Sequence, residues 1–139
     1  MGNALWLVLA LPKWYFSTIL APLSAGPLTI VPAIGVICLV IGTALGILRK
    51  QKLLLAFIAP FLLSELFVAI SGFYRGRLPG SAGNSILLIF LLLTLITSSY
   101  VLYRAKGARL TGTLLFVFSL TYALFAAFVA AMSFSDSWL

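Results

Sequence analysis

The sequence predicts an all-α, polytopic integral membrane protein: an antiparallel bundle of four transmembrane helices, preceded by an N-terminal interfacial or re-entrant segment. Of the 139 residues, 63% are hydrophobic and only 8% are charged, whereas a soluble domain carries about 25% charged residues. Four apolar runs approach or exceed the roughly 20 helical residues that cross a bilayer. Since no polar stretch is long enough for a soluble domain, residues 1–139 are predicted to form a single membrane domain.

The N-terminal segment, residues 1–27, lacks the pattern of a regular spanning helix. Its apolar stretch is short and is followed by Pro12 and Lys13. A secretory signal peptide carries its basic residue before the apolar core, whereas here Lys13 follows that core. Tryptophans on both sides of Lys13 are typical of the membrane interface. We therefore expect residues 1–27 to lie in the interface or to re-enter the membrane.

Residues 28–48 form the first predicted span, and small side chains recur along one face of it. Gly35, Gly42 and Gly46 are spaced by seven and four residues, which places them on one side of a helix. Such smooth faces let two helix backbones approach closely in lipid. We expect this face to pack against another helix of the same chain or, alternatively, against a second subunit.

The second predicted span, residues 53–74, is the segment around which the other spans are arranged. It contains one acid, Glu65, close to its middle, and Pro60 lies five residues earlier. Proline has no N–H, so Pro60 leaves the carbonyl near Ala56 without its helical partner. We expect a kink at this point and additional space beside the acid.

Residues 86–103 and 110–134 are the third and fourth predicted spans, and each carries small or hydroxyl side chains on one face. In the third span, Thr94, Thr97 and Ser98 share a face by their spacing. The fourth span contains small side chains at intervals of four residues, which is again a surface for close packing. These residues are Ser119, Ala123, Ala127 and Ala131.

Lysine and arginine are distributed unequally between the two ends of the predicted bundle. Lys13, Arg75 and Arg77 fall at one end, and six cationic residues fall at the other. Because cytoplasmic loops are richer in lysine and arginine, we predict an inner-membrane protein with the six-residue end in the cytoplasm and both termini outside it. The six cationic residues, which we expect to contact lipid headgroups, are Arg49, Lys50, Lys52, Arg104, Lys106 and Arg109.

The residue types that are present argue against several classes of function. The chain has no histidine, one cysteine and two acids, which excludes histidine-ligated haem and disfavours zinc and carboxylate metal sites. Neither Cys38 nor Ser64 has a basic neighbour in the sequence that would activate it as a nucleophile. We therefore expect no enzyme activity, cofactor or metal. The net charge of +7 lies beside apolar runs, so we expect lipid headgroups rather than nucleic acid as its partners.

Glu65 allows two interpretations. A charged side chain at the bilayer centre costs at least about 2.5 kcal/mol, so we expect Glu65 to be neutral or paired. In the structural interpretation, neutral Glu65 makes a hydrogen bond between helices or to a neighbouring subunit. In the functional interpretation, Glu65 is a proton or cation site. The hydroxyl side chains expected beside Glu65, as hydrogen-bond partners or as parts of the proton or cation site, are Ser64, Thr94, Thr97, Ser98 and Tyr122.

Two functional hypotheses match this pattern. The first is a non-catalytic subunit or self-associating component of a membrane complex, since small-residue packing faces suit such a protein. The second is a homo-oligomeric, proton-coupled transporter or small channel, in which Glu65 faces a shared cavity. The predicted partners are the lipid bilayer and either further copies of the chain or a larger membrane complex.

Overall fold

All regular secondary structure in the described part of the chain is α-helical. The computed structural model describes residues 2–17, 27–74 and 80–135. Parts of the N-terminal and orientation predictions fall on residues 18–26, Arg75 and Arg77, which lie outside the described residues. The helices are α1 (Gly2–Ser17), α2 (Pro27–Leu48), α3 (Leu53–Ala56), α4 (Ile58–Phe73), α5 (Gly80–Arg104) and α6 (Arg109–Ser135).

Three of these helices, α2, α5 and α6, are long and apolar enough to span a bilayer. The 27 residues of α6 extend about 40 Å, more than the roughly 30 Å of a hydrocarbon core. Large apolar side chains cover the outer faces of α2 and α5; Ile37 is 59% exposed and Ile96 is 63% exposed. The prediction of an all-α membrane protein with several helices of transmembrane length is confirmed.

The structure divides the predicted second span at Phe57. Helix α3 ends at Ala56, and α4 begins at Ile58 and contains 16 residues. Pro60 accounts for the division, because it has no N–H to donate to the carbonyl of Ala56, four residues earlier. Helix α4 alone is therefore shorter than the roughly 20 residues of a typical span.

Helix α6 occupies the centre of the bundle and packs against α2, α4 and α5. Gly35 of α2 lies against Thr121, and Gly42 lies against Leu115. Residue numbers therefore rise along α2 as they fall along α6, so these two helices are antiparallel. Their antiparallel arrangement places the end of α2 and the start of α6 at the same end of the bundle.

Helix α4 runs in the same direction as α6. Tyr122 of α6 is hydrogen-bonded to Glu65 of α4, and further along both helices the Ser133 hydroxyl donates to the Ser71 carbonyl at 3.2 Å. These two contacts connect α4 with α6 at two heights of the bundle.

Helix α5 is antiparallel to α6. Gly83, near the start of α5, lies against Phe134 near the end of α6. At the opposite end, Val101 of α5 and Leu115 of α6 belong to one buried cluster. Helices α2, α4, α5 and α6 therefore alternate in direction along the chain.

Helix α1 packs mainly against α4. Leu7, Leu11 and Tyr15 recur every four residues, and each is at most 2% exposed. The Tyr15 hydroxyl lies 2.7 Å from Thr121 Oγ1, and Thr121 is close to the midpoint of α6. The C-terminal end of α1 thus lies level with the middle of the bundle.

Small hydroxyl side chains lie in the interior of the bundle, while its outer surface is apolar. Ser64, Thr94 and Ser119 are each at most 4% exposed, and each donates to the carbonyl four residues earlier in its own helix. Such bonds satisfy a hydroxyl that has no water to contact. These three hydroxyl side chains therefore face other helices instead of lipid.

We expect Gly35→Ala to destabilise the bundle by roughly 1 to 3 kcal/mol, the range for overpacking a filled interior. A Cβ atom at this position would overlap the Tyr15 hydroxyl and Thr121 Oγ1, which meet directly beside the glycine. The measurement is the free energy of unfolding in detergent micelles.

Gly42→Ala is the matched control on the same helix face. A Cβ atom at Gly42 would lie 3.2 Å from side-chain carbons of Leu114 and Leu115. A small shift of these two leucines is enough to make room for the added methyl group. The effect of Gly35→Ala should shrink in a background carrying Tyr15→Phe and Thr121→Ala, because both oxygens are then absent. An undiminished effect in that background would show that the clash is not its cause.

Candidate functional site

Glu65 lies inside the bundle, near the middle of α4, and is bonded to Tyr122 of α6. The Tyr122 hydroxyl donates to Glu65 Oε1. Glu65 is 9% exposed and Tyr122 is 1% exposed, so the contact is shielded from the surroundings of the bundle. The acid is therefore an interhelical hydrogen-bond acceptor within a single chain.

Aromatic rings from three helices surround Tyr122. The ring centroids of Tyr15 and Phe61 each lie 4.9 Å from that of Tyr122, and the centroid of Phe118 lies 5.7 Å away. Aromatic pairs at such separations pack favourably beyond their burial alone. This aromatic packing holds the phenol in place and keeps its hydroxyl directed towards Glu65.

A second hydrogen-bonded pair, Tyr15 and Thr121, adjoins the same aromatic cluster. The Thr121 hydroxyl donates to the Phe118 carbonyl at 2.9 Å, which leaves Thr121 Oγ1 to accept from the Tyr15 hydroxyl at 2.7 Å. Gly35 of α2 is the close neighbour of this pair. Helices α1, α2 and α6 thus meet at one polar contact, next to the helix pair joined by Glu65.

The second carboxyl oxygen of Glu65, Oε2, is buried and has no hydrogen-bond partner. An ionised carboxylate with one unpaired oxygen in an apolar interior is strongly disfavoured. A neutral carboxylic acid fits this environment better, because it accepts from Tyr122 and carries its proton on the other oxygen. The arrangement therefore matches a neutral acid that links two helices.

Apart from Tyr122, the hydroxyl residues that the sequence groups with Glu65 do not bond to it in the described structure. Ser64 donates to the Pro60 carbonyl and Thr94 donates to the Phe90 carbonyl. Thr97 is half-buried, and the buried hydroxyl of Ser98 has no partner. Of the hydroxyl side chains that the sequence offers, Tyr122 is the one that reaches Glu65.

The predicted packing residues lie mostly in the interior. Gly35, Gly42 and Gly46 are all buried, and the first two lie against α6. On α6, Ser119, Ala123 and Ala127 are at most 8% exposed, whereas Ala131 is half-buried. The described contacts of Gly35 and Gly42 are made within one chain.

The two basic loops lie at the same end of the bundle, because α2 and α6 are antiparallel. Lys50 follows α2 with a positive φ of 50°, and the amide of Gln51 donates to the Gly46 carbonyl at 2.9 Å, which closes the helix end. Gly107 turns the chain between α5 and α6 with a φ of 92°, a value that suits glycine. The six exposed cationic residues at this end are Arg49, Lys50, Lys52, Arg104, Lys106 and Arg109.

Metal ligands do not cluster in the described part of the chain. No three histidine, cysteine, aspartate or glutamate side chains come together there. Cys38 is half-buried on α2, and Ser64 Oγ is engaged with a backbone carbonyl. Within the described residues, neither of these two nucleophile candidates is paired with a base.

The sequence did not indicate Tyr15 and Thr121 as members of the central cluster. The i+4 spacing of Leu7, Leu11 and Tyr15 was a usable signal, since it defines one helix face. Pro12, which lies inside α1, obscured that signal because proline usually interrupts a helix.

No known protein family, curated protein or solved structure matches the chain. The geometry around Glu65 and the surfaces of the bundle are therefore the features that indicate a function.

We expect Tyr122→Phe to lower the free energy of unfolding by about 0.6 kcal/mol, the average for interhelical hydrogen bonds in a membrane protein, and by no more than about 1.7 kcal/mol, the largest such value. The change removes the hydroxyl that donates to Glu65 and keeps the ring. Glu65→Gln should have a smaller effect, because the amide oxygen can still accept from Tyr122. Unfolding in detergent micelles measures both.

Tyr100→Phe is the matched control for the loss of a phenol hydroxyl. Tyr100 is 56% exposed, and its hydroxyl accepts from Arg104 Nε at 3.0 Å, an exposed contact of small energetic value. Equal effects of Tyr122→Phe and Tyr100→Phe would contradict a stabilising role for the bond to Glu65.

Proposed function

We propose that the chain is a non-catalytic component of a membrane complex, either as a subunit of a larger assembly or by association with further copies of itself. The observation that carries this proposal is the enclosed position of Glu65, whose Oε1 is bonded to Tyr122 within the same chain. An acid held in this way serves the packing of α4 on α6. It is not placed to line a cavity shared between subunits.

The outer surfaces of the bundle support this proposal. Apolar side chains cover the outer faces of α2 and α5, among them Val40 at 62% and Leu88 at 62% exposure. In each of these two helices, less than a third of the most apolar stretch is buried. Their outer faces are therefore available to lipid and to neighbouring membrane helices. Such faces associate through van der Waals packing in a bilayer.

The proposed topology has four spans in the cell inner membrane. The fourth, besides α2, α5 and α6, is α3 together with α4, since residues 53–73 would extend about 30 Å if the turn at Phe57 preserves the helix direction. The end that carries the six cationic residues faces the cytoplasm, and both termini lie outside it. Tyr15 lies at the same height in the bundle as the middle of α6. This depth favours a re-entrant N-terminal segment over an interfacial one.

Cysteine labelling tests this topology. In a Cys38→Ser background, we expect Lys50→Cys and Lys106→Cys to react with a membrane-impermeant thiol reagent only when the cytoplasmic face is accessible. Ser81→Cys, at the opposite end of α5, should react only from the other face. If Lys50→Cys and Lys106→Cys were labelled from opposite faces, the two basic loops would not lie on the same side of the membrane, and the topology would be wrong.

A proton-coupled transporter or small channel is the second candidate function, and one observation favours it. Glu65 Oε2 is buried without a partner, so it could exchange a proton without breaking the bond at Oε1. Intramembrane acids commonly mark proton or ion pathways. A transporter would additionally require a route that connects this oxygen with both sides of the membrane.

Reconstituted vesicles distinguish the two functions. We expect no flux of a cationic dye through the purified protein, with or without a pH gradient. Flux that Glu65→Gln abolishes, while the variant folds like the parent, would replace the first function by the second. The matching shape of glutamine makes this variant informative, since it retains the hydrogen-bond acceptor.

Subunit counting in vesicles tests the first function directly. We expect single-molecule photobleaching to show more than one copy per particle, or cross-linking in native membranes to show a partner at fixed stoichiometry. A chain that stays monomeric and without a partner in several detergents and in lipid would overturn the proposed function.

A further inference from the structure

A groove lies at the basic end of the bundle, where α5 ends and α6 begins. Its volume is about 390 Å³, within the roughly 300 to 1,000 Å³ range of small-molecule sites. Ser99 and Thr113 are its lining residues furthest from the turn, so the groove extends about 6 to 8 Å along the two helices.

Two cations line this groove without an acidic neighbour. Lys106 and Arg109 contribute to the lining, which contains no carboxylate. Glu65 is the only acidic residue of the described ranges, and it lies near the middle of α4, bonded to Tyr122. The positive charge of the groove is therefore not neutralised by the described part of the chain.

The neighbouring cation, Arg104, is engaged elsewhere. Its Nε donates to the Tyr100 hydroxyl at 3.0 Å, and its guanidinium carbon lies 5.4 Å from the Tyr100 ring centroid. Lys106 Nζ instead lies 5.9 Å from the centroid of Tyr103, which also lines the groove. Lys106 is thus held at the mouth of the groove beside an amphipathic ring.

The lining of the groove is cationic at the turn and includes apolar surface further along α5. Lys106 and Arg109 lie at the turn, and Leu102 contributes apolar surface further along α5. A phospholipid has the same order of chemistry, with a phosphate followed by glycerol and acyl chains. Lysine and arginine at a membrane surface bind anionic headgroups, and arginine pairs with phosphate through two hydrogen bonds.

We infer that this groove is a binding site for one anionic phospholipid, whose phosphate contacts Lys106 and Arg109 and whose glycerol and first acyl carbons lie along Leu102 and Ser99. A zwitterionic headgroup fits less well, because its ammonium group would find no carboxylate in the lining and would be repelled by the two cations. Free inorganic phosphate shares the charge chemistry but leaves the apolar part of the groove empty. The site does not depend on the proposed assembly with other chains.

Native mass spectrometry of the detergent-purified protein tests this site by counting bound lipids during titration with phosphatidylglycerol. We expect one retained phosphatidylglycerol per chain and at least tenfold weaker retention of phosphatidylcholine with the same acyl chains. The double variant Lys106→Gln with Arg109→Gln should weaken binding about tenfold or more, since each cation contributes roughly fivefold. The comparison variant, Arg49→Gln with Lys50→Gln, removes the same charge at the same end from two cations outside the groove, whose expected headgroup contacts are with the surrounding bilayer. Its retention of the one bound lipid should stay within about twofold of the parent.

Ser99→Trp blocks the end of the groove furthest from the turn while both cations remain. Ser99 is exposed, so the larger ring should fill the groove without disturbing the interior, and we expect lipid retention to fall at least tenfold. Unchanged retention by Ser99→Trp would overturn the inference. So would equal losses in the two charge variants, equal binding of phosphatidylcholine, or displacement of the lipid by millimolar inorganic phosphate, which would indicate a free-anion site.

Discussion

The hydrogen bond from Tyr122 to Glu65 determines how α4 is oriented in the bundle. Turning Glu65 towards α6 places the rest of one face of α4 inward as well, including Ser64, Val68 and Ser71, which are all fully buried. The opposite face of α4 carries large apolar side chains such as Leu66, which is 59% exposed. A rotation that exposed Glu65 to lipid would break its bond to Tyr122 and place the carboxyl group in a medium without hydrogen-bond partners, which is unfavourable.

The centre of the bundle combines close backbone approach with aromatic filling. Gly35 provides the space in which Tyr15 and Thr121 meet, and the Tyr15 ring then packs on Tyr122. Lipid tails are as apolar as the helix surfaces, so association between helices depends on such fitted contacts and on buried hydrogen bonds. Residues from four helices, α1, α2, α4 and α6, meet in this region.

The interior and the basic end of the bundle suit different roles. The interior contains an acid that is bonded within the chain, which favours a structural role for Glu65. The basic end concentrates exposed cations around two short loops, and between α5 and α6 two of them line a groove. The surface of the bundle is therefore the part that is open to lipid, while its centre serves cohesion.

The sequence by itself predicted a membrane protein, helices of spanning length and the interruption of the second span. Apolar composition and the length of the apolar runs predicted helices that can cross a bilayer, and Pro60 marked the break, because a missing N–H is a property of the residue itself. The spacing of small residues also identified the face of α2, with Gly35 and Gly42, that lies against α6. Only the tertiary structure decided that Tyr122, and not Thr94, Thr97 or Ser98, is bonded to Glu65. That choice depends on the relative rotation and height of separate helices, which helical periodicity within each segment does not specify.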